Sequence, residues 1–183
     1  MNLLFKLVYF ALMGALLVYV SLPSPAFPQP PPKAIQSLEP GDTETPLRRA
    51  YFVDQDRDEV INHYRSQFKQ LPTLRLNYPP EEAQTFVRDQ TRSSYLEELV
   101  HPIRESIYIN GFVPKEKKDA IVIEGREYYQ KLTVRYVPSN IVVRVLFVLL
   151  ISLLGYFLII FSASLMGQYL AFIKGKVWKL KHQ

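Results

Sequence analysis

The chain has 183 residues, 48% of them apolar, and a formal net charge of +5. It contains no cysteine, which excludes disulfides, thiolate metal sites and a cysteine nucleophile. The mean hydropathy of -0.02 averages two long apolar segments with a polar middle, and much of the excess positive charge lies at the end of the chain. A nucleic-acid interface would need its basic face on the folded part of the protein, so we expect no nucleic acid among the partners.

The first apolar segment, residues 1–22, predicts an N-terminal transmembrane helix. Leu3 to Leu22 is long enough for a span, which needs about 20 residues, if the Lys6 side chain extends towards the lipid headgroups. A cleaved signal peptide is the alternative, because Lys6 supplies a basic start and Ser24–Ala26 a small-x-small motif. Pro25 in the middle of that motif and the length of the run favour an uncleaved signal anchor.

Residues 23–46 are rich in proline and predict a linker. Proline lacks an amide hydrogen and clashes with the preceding turn, so this segment cannot form a helix. Gln29 to Pro32 is expected to adopt a semi-rigid polyproline II conformation. We interpret the segment as a spacer. The alternative, a docking site for a proline-binding partner, lacks the support of a flanked PxxP motif.

Residues 47–140 predict a folded domain that starts with a strand, Arg49 to Val53. Asp56 and Glu59 have the spacing of a capping box, and the helix that they open carries apolar residues at helical spacing. In the strand that follows, apolar and polar residues alternate. The apolar positions are Val60, Ile61, Tyr64 and Phe68 in the helix, and Leu74, Leu76 and Tyr78 in the strand.

A second helix is predicted from Pro80, a residue type that suits the first helical position. Ser94 and Glu97 repeat the capping-box spacing, which predicts a short third helix that ends before Pro102. Three strands follow, residues 106–110, 120–124 and 127–136, the last two forming a hairpin around Gly125. These elements predict an α+β fold, a small sandwich in which an antiparallel sheet carries helices on one face.

The densest polar cluster surrounds the end of the predicted third helix, and we take it as the candidate interaction or ligand site. A solvated salt-bridge surface is the alternative. The cluster consists of Arg92, Glu97, Glu98, His101, Arg104 and Glu105.

The sequence gives little support to metal or enzyme chemistry. Glu98 and His101 match the Glu-x-x-His spacing of di-iron sites, which need a second copy of the motif and two further glutamates. An EF-hand-like run at residues 54–58 lacks the required glycine and distal glutamate. The chain contains neither a nucleophile elbow nor a phosphate-binding loop. We therefore expect neither cofactor nor metal, and we do not expect an enzyme.

The second apolar segment, Val145 to Met166, carries no charge and predicts a C-terminal transmembrane helix within residues 141–173. Its length corresponds to about 33 Å of helix, enough for a bilayer core of about 30 Å. A basic tail, residues 174–183, follows, and its lysines favour anionic lipid headgroups. These are Lys174, Lys176, Lys179 and Lys181. Small residues four apart, which let helices approach closely, are Ala11 and Ala15 in the first span, and Ala163 and Gly167 in the second.

Positive charge in short flanks stays cytoplasmic, so Lys6 and the lysine tail predict both termini inside and residues 23–140 outside the cytoplasm. Arg144 favours the inverted topology. We expect an accessory or assembly subunit of a membrane complex, which binds the lipid bilayer and another membrane protein or itself. The alternatives are a self-assembling scaffold and an extracytoplasmic ligand sensor without an output domain of its own. An enzyme would need a pocket with convergent polar groups.

Overall fold

A computed structural model describes residues 3–79, 81–82 and 93–181, with residues 175–181 as backbone. The chain divides into two compact units. Residues 24–139 form one, which we call the sheet unit. The two ends of the chain form the other, which we call the helix unit. The predicted α+β class is confirmed: an antiparallel six-stranded sheet is combined with helices, two of them long and apolar.

The main sheet of the sheet unit has the strand order β1-β2-β8-β5-β4-β3 with antiparallel pairing throughout, and β6 and β7 form a separate hairpin. The strands are β1 (Ile35–Gln36), β2 (Arg48–Val53), β3 (Leu74–Tyr78), β4 (Tyr95–Val100), β5 (Ser106–Phe112), β6 (Ile121–Ile123), β7 (Arg126–Tyr128) and β8 (Gln130–Val137).

Helix α2 (Arg57–Gln67) begins at the predicted capping box. The Glu59 amide donates to Asp56 Oδ1 at 2.9 Å, and the Asp56 amide donates to Glu59 Oε2 at 3.0 Å. The apolar side of α2 and one face of the sheet form a single core, as the helical spacing predicts. Its buried members are Tyr51, Val53, Val60, Ile61, Tyr64, Phe68, Tyr95, Leu99, Ile107, Ile109, Leu132, Val134 and Tyr136.

The predicted short helix after Ser94 is wrong, because these residues form β4. This strand pairs with β3 on one side and β5 on the other, and five of its six residues are buried. A strand in the interior of a sheet is held by partners distant in sequence, and that pairing prevails over the local capping-box pattern at Ser94 and Glu97. The helix predicted from Pro80 lies outside the described residues, apart from Glu81 and Glu82, which are helical.

The predicted hairpin around Gly125 is confirmed only as the short pair β6–β7. Glu124 and Gly125 have φ angles of 51° and 79°, as the two central residues of a tight hairpin turn require. The strand predicted over 127–136 is divided in two, since β7 ends at Tyr128 and β8 starts at Gln130. β8 lies in the main sheet between β2 and β5.

The proline-rich segment differs from a free spacer, because residues 24–46 belong to the sheet unit. Ile35 and Gln36 pair with β2 as the outermost strand, and Phe27 packs against the core beside Tyr136. The Gln67 side chain holds the main chain of Gln29: its oxygen accepts from the Gln29 amide at 2.7 Å and its nitrogen donates to the Gln29 carbonyl at 3.2 Å. The segment forms no α-helix, as predicted, and contains only a short 3-10 helix, Pro40–Asp42. It is nevertheless attached to the sheet unit by these contacts.

The helix unit consists of α1 (Leu3–Ser21) and α3 (Ile141–Lys181), each long and apolar enough to cross a membrane. The two pack as an antiparallel pair. The Tyr9 hydroxyl donates to the Ser152 carbonyl, and Ser152 Oγ lies 3.0 Å from Met13 Sδ. At the other end, Arg144 Nη2 donates to the Leu22 carbonyl at 3.1 Å. Arg144 is thus buried at the C-terminal end of α1, where a helix favours positive charge.

Two predicted features of the helix unit can be placed in the structure. The tail predicted to start at residue 174 is not separate, because α3 continues through Lys181. The predicted packing residues do not lie at the contact between α1 and α3: Ala11, Ala15, Ala163 and Gly167 are all exposed. The contact uses larger side chains, including Tyr9, Met13 and Tyr156.

Candidate interaction site

The predicted polar cluster is organised by β4, which carries two adjacent carboxylates. Successive side chains of a strand point to opposite faces. Glu97 therefore lies on the face covered by α2, with Tyr95 and Leu99, while Glu98 lies on the opposite face with Leu96. Both carboxylates are buried, at 0% and 6% exposure, so each needs partners of its own.

Glu97 is neutralised by two arginines. Arg75, on the neighbouring strand β3, donates from Nε to Oε2 and from Nη2 to Oε1, at 2.5 and 2.8 Å. Arg57, in the first turn of α2, donates from Nε to Oε1 at 2.8 Å, and its guanidinium lies 5.2 Å from the centre of the Tyr95 ring. Burial alone would raise the pKa of Glu97, but the hydrogen bonds from Arg75 and Arg57 prevail and hold it below its usual range. This ion pair ties α2 and β3 to the interior of the sheet.

Glu98 is held by tyrosines on the other face. The Tyr78 hydroxyl donates to Glu98 Oε2, and the Tyr108 hydroxyl also bonds this carboxylate. Burial and the hydrogen bond to Glu98 raise the pKa of Tyr108 to about 12. Both tyrosines also pack against Leu96, which is fully buried. The two rings therefore cover an apolar side chain while their hydroxyls satisfy the carboxylate.

The remaining residues form a buried network in the turn between β4 and β5. His101 Nδ1 lies 2.8 Å from Glu105 Oε1, and Arg104 Nη2 donates to the same oxygen at 2.9 Å. Ser24 Oγ donates to Glu105 Oε2 at 3.1 Å, and the His101 ring stacks on Phe68 at 3.7 Å between ring centres. Burial lowers the pKa of His101, and the contact with Glu105 offsets this only in part. The imidazole is thus neutral near pH 7 and donates its Nδ1 hydrogen to the carboxylate.

The structure therefore does not bring the predicted cluster together on one surface. Glu97, Glu98 and the pair His101–Glu105 lie in three separate places, all buried, and they hold the sheet unit together. Arg92 lies outside the described residues. A binding role for these residues stays a prediction, and the geometry gives each carboxylate an internal partner.

Among the described residues, β3 is the last strand at one end of the main sheet, and the sequence predicted it as a strand but not as part of a site. Leu74 and Leu76 are 51% and 41% exposed, and Leu71, three residues before the strand, is 82% exposed. Ile103, in the turn after β4, is 51% exposed at the same end of the sheet, because Leu74 is paired with Val100. The signal in the sequence was the alternation of leucines without a lysine or proline between them.

Two further groups of predicted residues can be placed. Lys174 is exposed on α3, and the side chains of Lys176, Lys179 and Lys181 lie outside the described part of the structure. Within the described residues, no three His, Asp or Glu side chains converge in a way that could hold a metal ion.

Comparison of the chain with protein-family models, with curated proteins and with solved structures finds no significant match.

Proposed function

We propose that this protein is a two-pass integral membrane protein whose sheet unit lies outside the cytoplasm, and that it serves as an accessory or assembly subunit of a membrane complex. The observation that carries the proposal is the pair of long apolar helices, one before and one after the sheet unit in the chain. Only 6% of the most apolar window of each helix is buried inside the protein. Apolar surface of this extent requires lipid or other helices around it.

The charges that flank the two helices support the orientation. Lys6 lies near the start of α1, and the four lysines lie in the last part of α3. Basic residues close to spans stay in the cytoplasm. The 41 residues of α3 correspond to about 60 Å of helix, whereas a bilayer core is about 30 Å thick. Its basic end would therefore extend past the hydrocarbon into the anionic headgroup region.

The polar side chains of the sheet unit favour binding over catalysis. The carboxylates and the imidazole that the sequence offers for chemistry have internal partners, and their burial keeps them away from any substrate. Among the described residues, the exposed apolar side chains lie mostly on the two long helices, with Leu74 and Leu76 in β3, and apolar surface of this kind suits proteins and lipids.

The face of α1 opposite α3 is the contact that we assign to a partner helix. Ala11 and Ala15 lie there, four residues apart, whereas Tyr9 and Met13 face α3. Small residues allow a second backbone to approach closely.

Purification of the full chain in native lipid, followed by crosslinking and mass spectrometry, tests the proposal. We expect a different membrane protein in stoichiometric amount. Substitution of Ala11 and Ala15 by isoleucine should reduce its yield, whereas the control, isoleucine at Gly14, adds comparable bulk at an exposed position outside the Ala11–Ala15 row and should not. Retention of the partner by both variants would indicate that the partner binds the sheet unit instead of α1. Recovery of this chain alone would contradict the proposal and favour a self-assembling scaffold.

A further inference from the structure

Two arginines lie directly opposite each other in the main sheet. Arg48 of β2 pairs with Arg135 of β8, and residues paired in this way direct their side chains to the same face. Val134 and Tyr136, the neighbours of Arg135 in the strand, belong to the core that the sheet shares with α2. The arginine pair therefore lies on the face of the sheet opposite α2.

The hydrogen-bond pattern of the sheet brings the two arginine side chains close together. The Tyr136 amide donates to the Leu47 carbonyl at 2.8 Å. Hydrogen-bonded and non-hydrogen-bonded pairs alternate along an antiparallel ladder, so Arg48 and Arg135 form a non-hydrogen-bonded pair, in which the side chains lie closest. Like charges directly opposite each other destabilise a sheet. This pair therefore lowers the stability of the sheet unit unless an anion neutralises it.

Other cations of the sheet unit are neutralised within the protein. Lys131, on the same face of β8, has its Nζ atom 2.7 Å from Asp42 Oδ2 and 2.8 Å from Glu39 Oε2. On the other face of the sheet, Arg75 donates to Glu97 at 2.5 Å. Each of these two cations thus has a carboxylate oxygen no farther away than 2.8 Å.

Arg48 and Arg135 have no carboxylate at such a distance. Arg48 is 8% exposed, and its ion pair with Glu44 is long, 3.5 Å from Nη1 to Oε2. Its Nε atom is buried without a hydrogen-bond partner in the described part of the chain. Arg135 is exposed and forms no ion pair within residues 3–79, 81–82 and 93–181. Because a buried cation is costly without a full counter-charge, an anion from outside the chain would stabilise this pair.

A further carboxylate lies in the same row of the sheet but is occupied. Tyr108 lies opposite Arg135, and Glu98 lies opposite Tyr108. Two strands separate this carboxylate from Arg135, about 10 Å in the direction of the ladder. The Tyr78 and Tyr108 hydroxyls bond Glu98. Glu98 therefore leaves Arg135 available for another anion.

The chemistry of the pair fits a phosphate group. A guanidinium group donates in a planar fork that matches the oxygens of phosphate and carboxylate. A carboxylate carries one negative charge, which a single arginine balances. A phosphate monoester carries about −1.5 to −2 charges and three acceptor oxygens, which match two arginines. Because Arg135 is exposed, a phosphate group can approach the pair from solvent.

We infer that Arg48 and Arg135 together bind a phosphate monoester, whose oxygens lie between the two guanidinium groups. The phosphate belongs either to a soluble molecule or to the headgroup of a lipid. The inference goes beyond the proposed function and does not depend on it, because an accessory subunit and a self-assembling scaffold would both accommodate such a site.

Titration calorimetry of the full chain in a maltoside detergent, which contains no phosphate, tests the site with inorganic phosphate as the probe. We expect saturable binding. Arg48→Gln and Arg135→Gln should each weaken it at least about tenfold, as the loss of a charge-assisted hydrogen bond does. The matched control is Arg49→Gln, which should bind as the wild type does, because Arg49 follows Arg48 in β2 but lies on the other face, over the Phe27 ring.

Thermal unfolding shows whether the variants fold and whether phosphate acts through the pair. Without phosphate, Arg135→Gln should unfold at the same temperature as the wild type or at a higher one, because one of two like charges is removed. Phosphate should raise the unfolding temperature of the wild type and leave that of Arg135→Gln unchanged. Acetate at equal ionic strength should change neither.

Nanodiscs distinguish the two sources of the phosphate. Phosphatidic acid carries a phosphate monoester in its headgroup, whereas phosphatidylserine supplies negative charge without one. If the site holds a lipid headgroup, inorganic phosphate should bind at least about tenfold more weakly in discs with phosphatidic acid than in discs with phosphatidylserine. Equal affinity in the two kinds of disc would assign the site to a soluble phosphate.

Three results would overturn the inference: no saturable binding of phosphate in detergent, an equal effect of acetate, or an equal loss of binding in Arg49→Gln. None of them bears on the proposed membrane complex, which the crosslinking experiment tests separately.

Discussion

Gly111 lies opposite Tyr95 in the pairing of β5 with β4, and the tyrosine ring covers it. A Cβ atom added at Gly111 would lie 2.1 Å from Tyr95 Cε1. The ring has little freedom to move, because Tyr95 is buried in the core and its hydroxyl donates to Gln130 Oε1 at 2.8 Å. We predict that Gly111→Ala lowers the free energy of unfolding by about 1–3 kcal/mol, as overpacking does in a core. Chemical denaturation of the full chain in detergent measures this.

The matched control for that prediction is Gly41→Ala. A Cβ atom at Gly41 would meet nothing within 4 Å, and we expect it to change the stability by less than about 0.5 kcal/mol. Equal stability of the two variants would show that the sheet has room at Gly111.

His101 makes the stability of the sheet unit depend on pH. Because burial lowers its pKa, the unfolded chain binds a proton at His101 more readily than the folded chain does. Stability from this group is complete above the unfolded pKa of about 6.5 and is lost as the pH falls through the folded pKa. Glu97 also makes the stability depend on pH, but at more acidic pH. Its pKa in the folded protein is lowered from 4.5, so its contribution to the free energy of unfolding is present above pH 4.5 and is lost as the pH falls through the folded pKa.

The measurement is the free energy of unfolding as a function of pH for the wild type and His101→Gln. The decline that begins near pH 6.5 should be absent in His101→Gln, whereas His63→Gln should retain it. A decline of the same steepness in all three proteins would contradict the role assigned to His101.

At the residue scale, the sequence identified the polar residues of the cluster but did not predict which side chains they contact. The polar positions of the cluster were identified, but not that Glu97 and Glu98 lie on opposite faces with different partners. The partners come from elsewhere in the chain: Arg57 from α2, Arg75 from β3 and Tyr108 from β5. These polar residues are close together in the sequence, but successive side chains of a strand point to opposite faces, so they take part in three separate sets of contacts.

Elements defined by local contacts were predicted well. The capping box at Asp56 and Glu59 and the turn at Gly125 depend on residues within a few positions of each other. Ser94 and Glu97 have the same spacing as the first capping box, yet Ser94 directly precedes β4 and Glu97 lies within it, where Tyr95 pairs with Gly111. A capping-box pattern covers only four residues, so it cannot indicate that Tyr95 pairs with a residue sixteen positions further along the chain.

The pairing of α1 with α3 yields a prediction at the level of elements. Ser152 Oγ lies 3.0 Å from Met13 Sδ, so a chain with Met13→Cys and Ser152→Cys should form an internal disulfide on oxidation. Its faster migration in non-reducing electrophoresis measures this. The control is Ala11→Cys with Ser152→Cys, since Ala11 lies on the other side of α1. Equal yields from the two chains would mean that α1 and α3 do not pack through this face.

At the level of the whole molecule, the two apolar helices were the most predictable feature. A helix satisfies its own backbone hydrogen bonds, so its presence depends on the composition of one segment alone. The boundary of the sheet unit was less predictable. Residues 24–46 join it through contacts such as Phe27 with Tyr136 and Ile35 with Phe52, which connect positions far apart in the chain.

We propose above that both helices cross a membrane and that the sheet unit lies on the outer side. Single introduced cysteines test this orientation in intact cells. The chain has no cysteine of its own, so any label on this protein must be on the introduced residue. A membrane-impermeant maleimide should label Val122→Cys, an exposed position of the sheet unit, before permeabilisation, and His182→Cys near the chain end only afterwards. Both proteins should stay in the membrane after alkaline extraction. Labelling in the reverse order, or release of the protein by alkali, would contradict the account.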